Sequence, residues 1–280
     1  CDIVYFENEL SCKKVGANNS YSKKRNTIEG IKFYRNNYQR RLMQVKRSNN
    51  EQVKIDFENW KKLAREKIKE FNIRDSHIII LGDCEIGFYK EKPAKFYNYF
   101  SKQLKLRNNI IYLIRGNHDN PEYWLNPIRS EAEEKWPNII HLRDNSLIFI
   151  NDKIYFIWGG AVSIDRAILK EGSTWFRSER TTLNIAKLLL FKDIKIFGVL
   201  AHTGPRPDTL DDKQFKRRCK FDKRLIDDIM EEQSNICQII NILNPVVWLN
   251  GHYHTSFEKT ITNGTKVTCF DILEIRKLIT

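Results

Sequence analysis

Apolar residues recur along this chain at two spacings, and these spacings predict alternating helices and strands. Helical spacing predicts helices at 53–71, 93–106, 181–191 and 223–243. Short apolar runs predict strands at 77–81, 110–114, 138–160 (three strands in succession), 194–202, 246–250 and, as the last strand, 266–272. Strands interleaved with helices, followed by a run of strands, predict a mixed α/β sandwich with sheets inside and helices outside. Because no internal repeat or linker divides the chain, we expect a single domain over residues 1–280.

Polar residues follow four of the predicted strands, at the point where each strand ends. They are Asp83, Asn117, His118, Asp119, His202, His252 and His254. In open α/β sheets, the carboxyl ends of the strands form the edge where ligands bind. Any one of these residues alone is more often a turn or a surface residue, but four strand ends together predict a site. Imidazole nitrogens with carboxylate and amide oxygens suit a borderline divalent metal.

Four short motifs resemble those of the calcineurin-like metallophosphoesterase superfamily. They are GD at 82–83, GNHD at 116–119, the histidine at 202 and GHYH at 251–254. The stretch WGGAVSIDR (158–166), together with LAHTGP (200–205), is similar to a phage and bacterial branch of that superfamily. The resemblance covers the chain from about residue 53 to residue 257. It implies a four-layer α/β/β/α sandwich of mixed sheets and an enzyme that hydrolyses phosphoesters.

The resemblance also implies a dinuclear metal centre in which a metal-activated water is the nucleophile. Under it, Asp83 is expected to bridge two metals about 3.5–4 Å apart. Asn117, His202 and His252 complete one metal site, and His254 belongs to the other. Two divalent ions are therefore the implied cofactor. Mn²⁺ is favoured, and Fe, Zn²⁺ and Ni²⁺ also fit such ligands.

Four further residues are candidates for acid catalysis or for binding the substrate phosphate. His118 corresponds to the acid that protonates the leaving oxygen of the ester. Asp119 either orients His118 or only caps a turn. Arg166 and Arg115 are candidates for contacting the phosphate, with a solvated surface position as the alternative for both. Arg166 is favoured because it follows the GGAVSID stretch.

One motif of the family, Asp-x-His at the end of the first strand, is not found in its place. The residues at 75–77, Asp-Ser-His, match it literally, but they lead into the strand before Asp83 and so lie at its wrong end. Either the motif is degenerate within FENELSC (6–12), or the chain is cut before Cys1. We favour the second explanation, because the chain does not begin with Met and IVYFEN (3–8) resembles a segment that starts a helix or loop after the motif. In that case the first strand and two ligands are missing, and the chain as given is expected to be inactive.

The chain has a formal net charge of +13, which indicates either a polyanion-binding face or a lysine-rich solvated surface. A denser basic segment at about 13–50, interleaved with Tyr and Phe, is expected to be helical or loop structure able to bind nucleic acid. The sequence GDCEIG (82–87) lacks the GDxxDRG pattern of the family's protein phosphatases. A nucleotide or nucleic acid substrate is therefore favoured over a phosphoprotein. Monoester or diester preference and the oligomeric state stay open.

A second hypothesis remains beside the enzyme. It is a degenerate, non-catalytic module of the same fold that binds nucleic acid through its basic surface. Under either hypothesis the six scattered cysteines indicate reduced thiols. The first residues lack the pattern of a secretory signal, and no apolar run reaches the length of a membrane span. We therefore expect a cytoplasmic protein without a membrane partner.

Overall fold

The computed structural model describes residues 3–7, 73–87, 94–207, 219–272 and 274–277. The helix predicted at 53–71 and the basic segment at 13–50 therefore lie outside the described residues. Residues 3–7 and the described residues from 74 onward belong to one compact unit. Among the described helices, none has the length and the apolar run that crossing a membrane requires.

The described strands form two sheets. Their bounds are β1 (Ile3–Glu7), β2 (Ser76–Ile80), β3 (Ile110–Leu113), β4 (Ile139–His141), β5 (Ser146–Ile150), β6 (Lys153–Trp158), β7 (Gly198–Ala201), β8 (Val247–Asn250), β9 (Phe257–Thr260), β10 (Lys266–Cys269) and β11 (Ile275–Lys277). The first sheet has the order β11-β1-β2-β3-β4, and the second has the order β5-β6-β7-β8-β10-β9. Strands β2, β3 and β4 are parallel, and so are β6, β7, β8 and β10. Each parallel set therefore directs its carboxyl ends to one edge of its sheet.

An apolar core fills the space between the two sheets. It includes Ile79, Tyr112 and Ile114 from the first sheet and its strand ends, and Ile157, Leu200 and Leu249 from the second. Side chains alternate along a strand, so the neighbours of these residues face outward. On the second sheet, these outward neighbours (Phe156, Val199 and Trp248) form a separate core under a helix.

Helices cover the outer faces of both sheets. Their bounds are α1 (Ala94–Lys105), α2 (Ile128–Lys135), α3 (Ile185–Leu190) and α4 (Leu225–Leu243). On α4, the helically spaced residues Ile236, Ile239 and Ile240 pack on the second sheet. The helix ends at Leu243, and the capping residue Asn244 takes a left-handed conformation with a φ of 44°. With α1 on the first sheet, the layers are helix, sheet, sheet and helix, as the resemblance implied.

The predicted strands and helices of the described region are confirmed, apart from three details at the ends of the chain, and helix α2 was not predicted. IVYFEN does not start a helix or loop, because Ile3–Glu7 is strand β1 and pairs antiparallel with β2. Residues 266–272 do not contain the last strand, because β11 follows and pairs with β1. Strand β9 was not predicted. Both β9 and β11 are short and half polar, so their pairing partners rather than their apolar pattern determine them.

His141 on β4 is a buried histidine on the outer face of the first sheet. It is 2% exposed, and its Nε2 atom lies 2.9 Å from the hydroxyl of Tyr97 on α1. Its Nδ1 atom is buried, and no hydrogen-bond partner lies among the described residues. Burial, with a smaller contribution from Arg129, lowers the pKa of His141 to about 4. This histidine therefore holds a helix onto the sheet in its neutral form.

We expect the free energy of unfolding to fall as the pH drops from about 6.5 to about 4. In that window the unfolded imidazole binds a proton that the folded imidazole does not, because the pKa of His141 changes from 6.5 to about 4 on folding. The loss should approach about 1.4 kcal/mol per pH unit. Urea unfolding measured across this pH range checks it. The same slope in wild type and in His141→Asn would contradict the assignment.

Candidate metal centre

The two sheets bring four of the predicted ligands together at one edge. Asp83 follows β2, Asn117 follows β3, His202 follows β7 and His252 follows β8. The Nε2 atom of His202 lies 2.8 Å from Oδ1 of Asn117 and 3.3 Å from Oδ1 of Asp83. The Nδ1 atom of His252 lies 3.1 Å from the same Asn117 oxygen. Side chains that are far apart in the sequence therefore converge around one amide oxygen.

The backbone fixes the tautomer of His202. Its Nδ1 atom lies 2.6 Å from the carbonyl oxygen of Leu81. A carbonyl oxygen can only accept a hydrogen bond, so Nδ1 carries the proton. In the neutral ring, Nε2 then presents a lone pair toward Asn117 and Asp83.

The amide of Asn117 also presents an acceptor to the cluster. Its Nδ2 atom donates a hydrogen bond of 2.8 Å to the hydroxyl of Ser163, so its Oδ1 atom faces the imidazoles. The Asn117 oxygen and the His202 nitrogen are both acceptors, and the Asp83 carboxylate is a third. Such a set of acceptors suits a cation at its centre.

The spacing of these atoms agrees with a metal shell. Neighbouring ligands of an octahedral ion, each about 2.1 Å from the metal, lie about 3 Å apart. The observed separations of 2.8, 3.1 and 3.3 Å bracket this value. Among the described residues, no group of three or more His, Cys, Asp or Glu could hold a metal by itself. The amide of Asn117 is what joins the carboxylate to the imidazoles, and with it the donor set fits a divalent metal.

Strained backbone accompanies the cluster. Asp83, His252 and His254 have φ values of 55°, 65° and 51°, in the left-handed region that non-glycine residues adopt infrequently. Such conformations cost about 1–3 kcal/mol each and concentrate at functional sites. Gly116 is required here, because a Cβ atom at this position would lie 2.1 Å from Oδ1 of Asp83. The chain therefore gives up conformational stability to place these side chains.

Burial and charge set the protonation states at the centre. Burial raises the pKa of Asp83, but His202 and His118 together outweigh it and hold that pKa well below its usual range. Burial lowers the pKa of His252 well below its usual value and that of His254 to about 4. His254 also interacts electrostatically with Asp83. The centre therefore presents an ionised Asp83 carboxylate and neutral His252 and His254 imidazoles, which are the forms that bind metals.

The two predicted catalytic residues of the GNHD motif have different structural roles. The backbone N–H of His118 donates a 2.9 Å hydrogen bond to Oδ1 of Asp83, which places His118 beside the cluster. Asp119 is fully buried, and its carboxylate accepts the backbone N–H groups of Gly116 at 2.7 Å and Ile86 at 3.0 Å. Asp119 therefore caps the turn, which is the second of the two roles predicted for it.

Arg115 does not point to the cluster as a free cation. It is 4% exposed, and its guanidinium donates to Oδ2 of Asp144 at 2.9 and 3.1 Å. It also donates to the carbonyl of Glu179 at 2.6 Å and to the hydroxyl of Thr181 at 2.7 Å. A buried guanidinium needs a counter-charge and acceptors, and protein groups supply both.

Arg166 is likewise paired within the protein. It lies in a short 3-10 turn (Arg166–Ile168) and forms ion pairs with Asp222 at 2.5 Å and Asp228 at 2.6 Å. The structure thus engages both candidate phosphate-binding arginines with carboxylates. Phosphate binding by either arginine stays a prediction that this geometry does not support.

Two residues of the site's surroundings were missed by the sequence reasoning. Ser163 contacts the amide of Asn117, and Glu179 contacts Ser163. Ser163 lies inside the GGAVSID stretch, so the resemblance was a signal for it. Glu179 lies in a polar segment, where no spacing or motif distinguishes it from a surface carboxylate.

A two-sheet sandwich whose strand ends carry a donor set that fits a cation is the architecture of a class of metal-dependent α/β enzymes. The family model described as calcineurin-like phosphoesterase matches residues 53–256. The chain therefore belongs to the calcineurin-like phosphoesterase family, which supports metal-dependent hydrolysis of phosphoesters. No curated protein sequence matches the chain.

Solved structures also resemble this chain. It is similar to the protein TT1561 of Thermus thermophilus, with 16% identity and a TM-score of 0.40, over 64% of this chain and 71% of that chain. A second solved structure has 17% identity and a TM-score of 0.38, and the similarity covers 62% of each chain.

Arg115→Met should act on stability rather than on substrate binding. We expect it to lower the free energy of unfolding by about 3–5 kcal/mol, because the half-buried Asp144 carboxylate loses its counter-charge and the Glu179 carbonyl and Thr181 hydroxyl lose a buried donor. Urea unfolding checks this. Arg177→Met, which breaks the exposed pair with Glu171, is the control and should leave stability nearly unchanged. A fully stable Arg115→Met variant with a raised KM for a phosphoester would instead support phosphate binding by Arg115.

Proposed function

We propose that this chain hydrolyses phosphoesters at the candidate metal centre, with water as the nucleophile and two divalent ions as cofactor. The observation that carries the proposal is the convergence of acceptor atoms on Asn117 Oδ1. The His202 and His252 nitrogens lie 2.8 and 3.1 Å from this oxygen, and the Asp83 carboxylate lies 3.3 Å from the His202 nitrogen. A cation would stabilise this arrangement of four groups. The family supports the reaction class, and the donor set supports the cofactor class.

The ligands divide between two ions in the proposal. Asp83, Asn117, His202 and His252 would hold one ion, and Asp83 and His254 would contribute to the other. When bound, the two ions offset the negative charge of the ester and lower the pKa of a water molecule. Asn117 is uncharged, so this ligand leaves more net positive charge for the phosphate than a carboxylate would.

His118 is proposed as the acid that protonates the leaving oxygen. Its backbone is held by Oδ1 of Asp83, so the imidazole starts from a fixed position beside the cluster. A positioned proton donor contributes about 10²–10⁴-fold to such a reaction. Asp119 supports this arrangement indirectly, by fixing the turn on which His118 lies.

A nucleotide or nucleic acid is the proposed substrate class, in preference to a phosphoprotein. The formal net charge of +13 favours a polyanionic partner. Since Arg115 and Arg166 are paired with carboxylates, no arginine is assigned to the substrate phosphate in this proposal.

Mn²⁺-dependent hydrolysis of p-nitrophenyl phosphate and of bis-p-nitrophenyl phosphate tests the proposal. We expect hydrolysis that EDTA abolishes and Mn²⁺ restores. His118→Ala should lower kcat by about 10²–10⁴-fold, because the leaving oxygen loses its proton donor. Asp83→Asn should weaken metal binding and hydrolysis together. A higher kcat/KM for one ester assigns the enzyme to monoesters or diesters.

His77→Ala provides the matched control for this experiment. His77 is a partly buried histidine at the amino end of β2, next to Tyr112 and at the opposite end from Asp83. Its replacement should leave hydrolysis unchanged. A folded protein that binds Mn²⁺ but hydrolyses neither ester, both as the chain given and in a version extended upstream, would contradict the proposal. Salt-sensitive binding of single-stranded DNA by that protein would then support the non-catalytic module.

A further inference from the structure

A chain of hydrogen bonds through two buried residues ends on the amide of Asn117. Ser163 is 2% exposed and Glu179 is 1% exposed. Oε1 of Glu179 accepts the backbone N–H of Ser163 at 2.9 Å, and Oε2 accepts the Ser163 hydroxyl at 2.5 Å. The hydroxyl oxygen in turn accepts Nδ2 of Asn117 at 2.8 Å. We call these three residues the asparagine relay.

We propose that Ser163 and Glu179 are positioning residues that hold the Asn117 amide with its oxygen toward the metals. This inference rests on the proposed function, because it takes Asn117 as a metal ligand. Within the relay, Ser163 contacts Asn117 alone among the four converging residues, and Glu179 acts through Ser163. Both act through the one neutral amide of the centre.

The direction of the relay follows from which groups can donate. An ionised carboxylate accepts hydrogen bonds only, so the single hydroxyl proton of Ser163 is directed to Glu179. The hydroxyl oxygen can then only accept from Asn117. Only the NH₂ end of the amide satisfies that contact, and the oxygen is left facing His202 and His252.

Without the relay, the contact with His202 would favour the opposite orientation of the amide. The Nε2 atom of His202 is an acceptor 2.8 Å from the amide. A flipped Asn117 would donate Nδ2–H to this nitrogen in a hydrogen bond of ordinary length. That flip would turn the amide oxygen away from the metals. The relay therefore holds an orientation that is useful only when a cation is bound.

The relay is braced by the arginine that the sequence assigned to phosphate. Arg115 donates to the carbonyl of Glu179 and to the hydroxyl of Thr181, which fixes the segment that carries the carboxylate. Gly160 allows this close approach, since a Cβ atom there would lie 2.1 Å from the Glu179 carbonyl oxygen. In this proposal Arg115 therefore fixes the segment that carries Glu179, and it does not bind the substrate.

Metal titration of wild type, Ser163→Ala, Glu179→Gln and the double variant tests the proposal. Mn²⁺ affinity is measured by calorimetry, and the visible spectrum of the Co²⁺-loaded protein reports the ligand geometry. Titrations are run at about pH 8, because burial raises the pKa of Glu179 and the relay needs its ionised form. We expect each single variant to bind Mn²⁺ about 10–100-fold more weakly and to change the Co²⁺ spectrum.

Glu179→Gln is the sharper of the two single variants. It keeps the size of the side chain, but its NH₂ group would donate to Ser163 and free the hydroxyl proton to donate to the Asn117 oxygen. The relay would then run in reverse. Because both residues act on one amide, their effects should not add. The double variant should bind Mn²⁺ with about the affinity of whichever single variant binds it more weakly.

Ser101→Ala is the matched control. Ser101 is also buried, and its hydroxyl donates a 2.6 Å hydrogen bond to the side chain of Asn138, remote from the strand ends that form the centre. This variant should keep wild-type Mn²⁺ affinity even though it loses a comparable hydrogen bond. An equal loss of affinity in Ser101→Ala would show general destabilisation and overturn the relay.

Two other results overturn the relay, and they separate it from the proposed function. Wild-type affinity and an unchanged Co²⁺ spectrum in both single variants overturn the relay alone. A folded wild-type protein that binds no metal overturns both. Metal binding that weakens in the variants, without hydrolysis of either ester in wild type, supports the relay and contradicts the proposed reaction.

Discussion

The apolar core between the two sheets is the contact on which the candidate metal centre depends. Asp83 and Asn117 come from the first sheet, and His202 and His252 come from the second. No strand pairing joins the described strands of one sheet to those of the other. Side-chain packing between the faces sets their relative position, together with a backbone hydrogen bond from Gly160 to Arg115 beyond the strand ends. Parallel pairing brings each set of strand ends to an edge, and the shared core brings the two edges together.

The cost of burying charge explains why Arg115 and Arg166 bind protein groups, whereas the polar residues at the strand ends converge on the candidate metal centre. A guanidinium in a protein interior is stable only when carboxylates and carbonyls surround it. Arg115 and Arg166 each meet that requirement with protein partners: Arg115 pairs with Asp144, and Arg166 pairs with Asp222 and with Asp228 of helix α4. The buried carboxylate of Asp119 likewise has protein partners, because it accepts hydrogen bonds from two backbone N–H groups. Charged residues next to a site can therefore serve its geometry without touching its ligand.

The acceptors of the candidate metal centre are held in fixed orientations by neighbouring groups. The Leu81 carbonyl fixes the His202 ring, and the Ser163 hydroxyl fixes the Asn117 amide. Each constraint turns a lone pair toward the other acceptors of the cluster, which repel it in the absence of a cation. Strained φ values at Asp83 and His252 add to the same cost. Stability is lost locally so that the site is organised before a ligand arrives.

The sequence by itself determined the layer order, most strands and helices of the described region, and the residues that converge. These follow from local apolar spacing and from short motifs at strand ends, and both signals come from residues that are close together in the sequence. Only the tertiary structure decided the roles of Arg115, Asp119, Ser163 and Glu179. Whether a charged side chain meets a carboxylate or solvent depends on segments dozens of residues away, as with Arg115 and Glu179. The tertiary structure also decided the edge strands β9 and β11, because pairing with neighbouring strands, rather than their own apolar pattern, makes them strands.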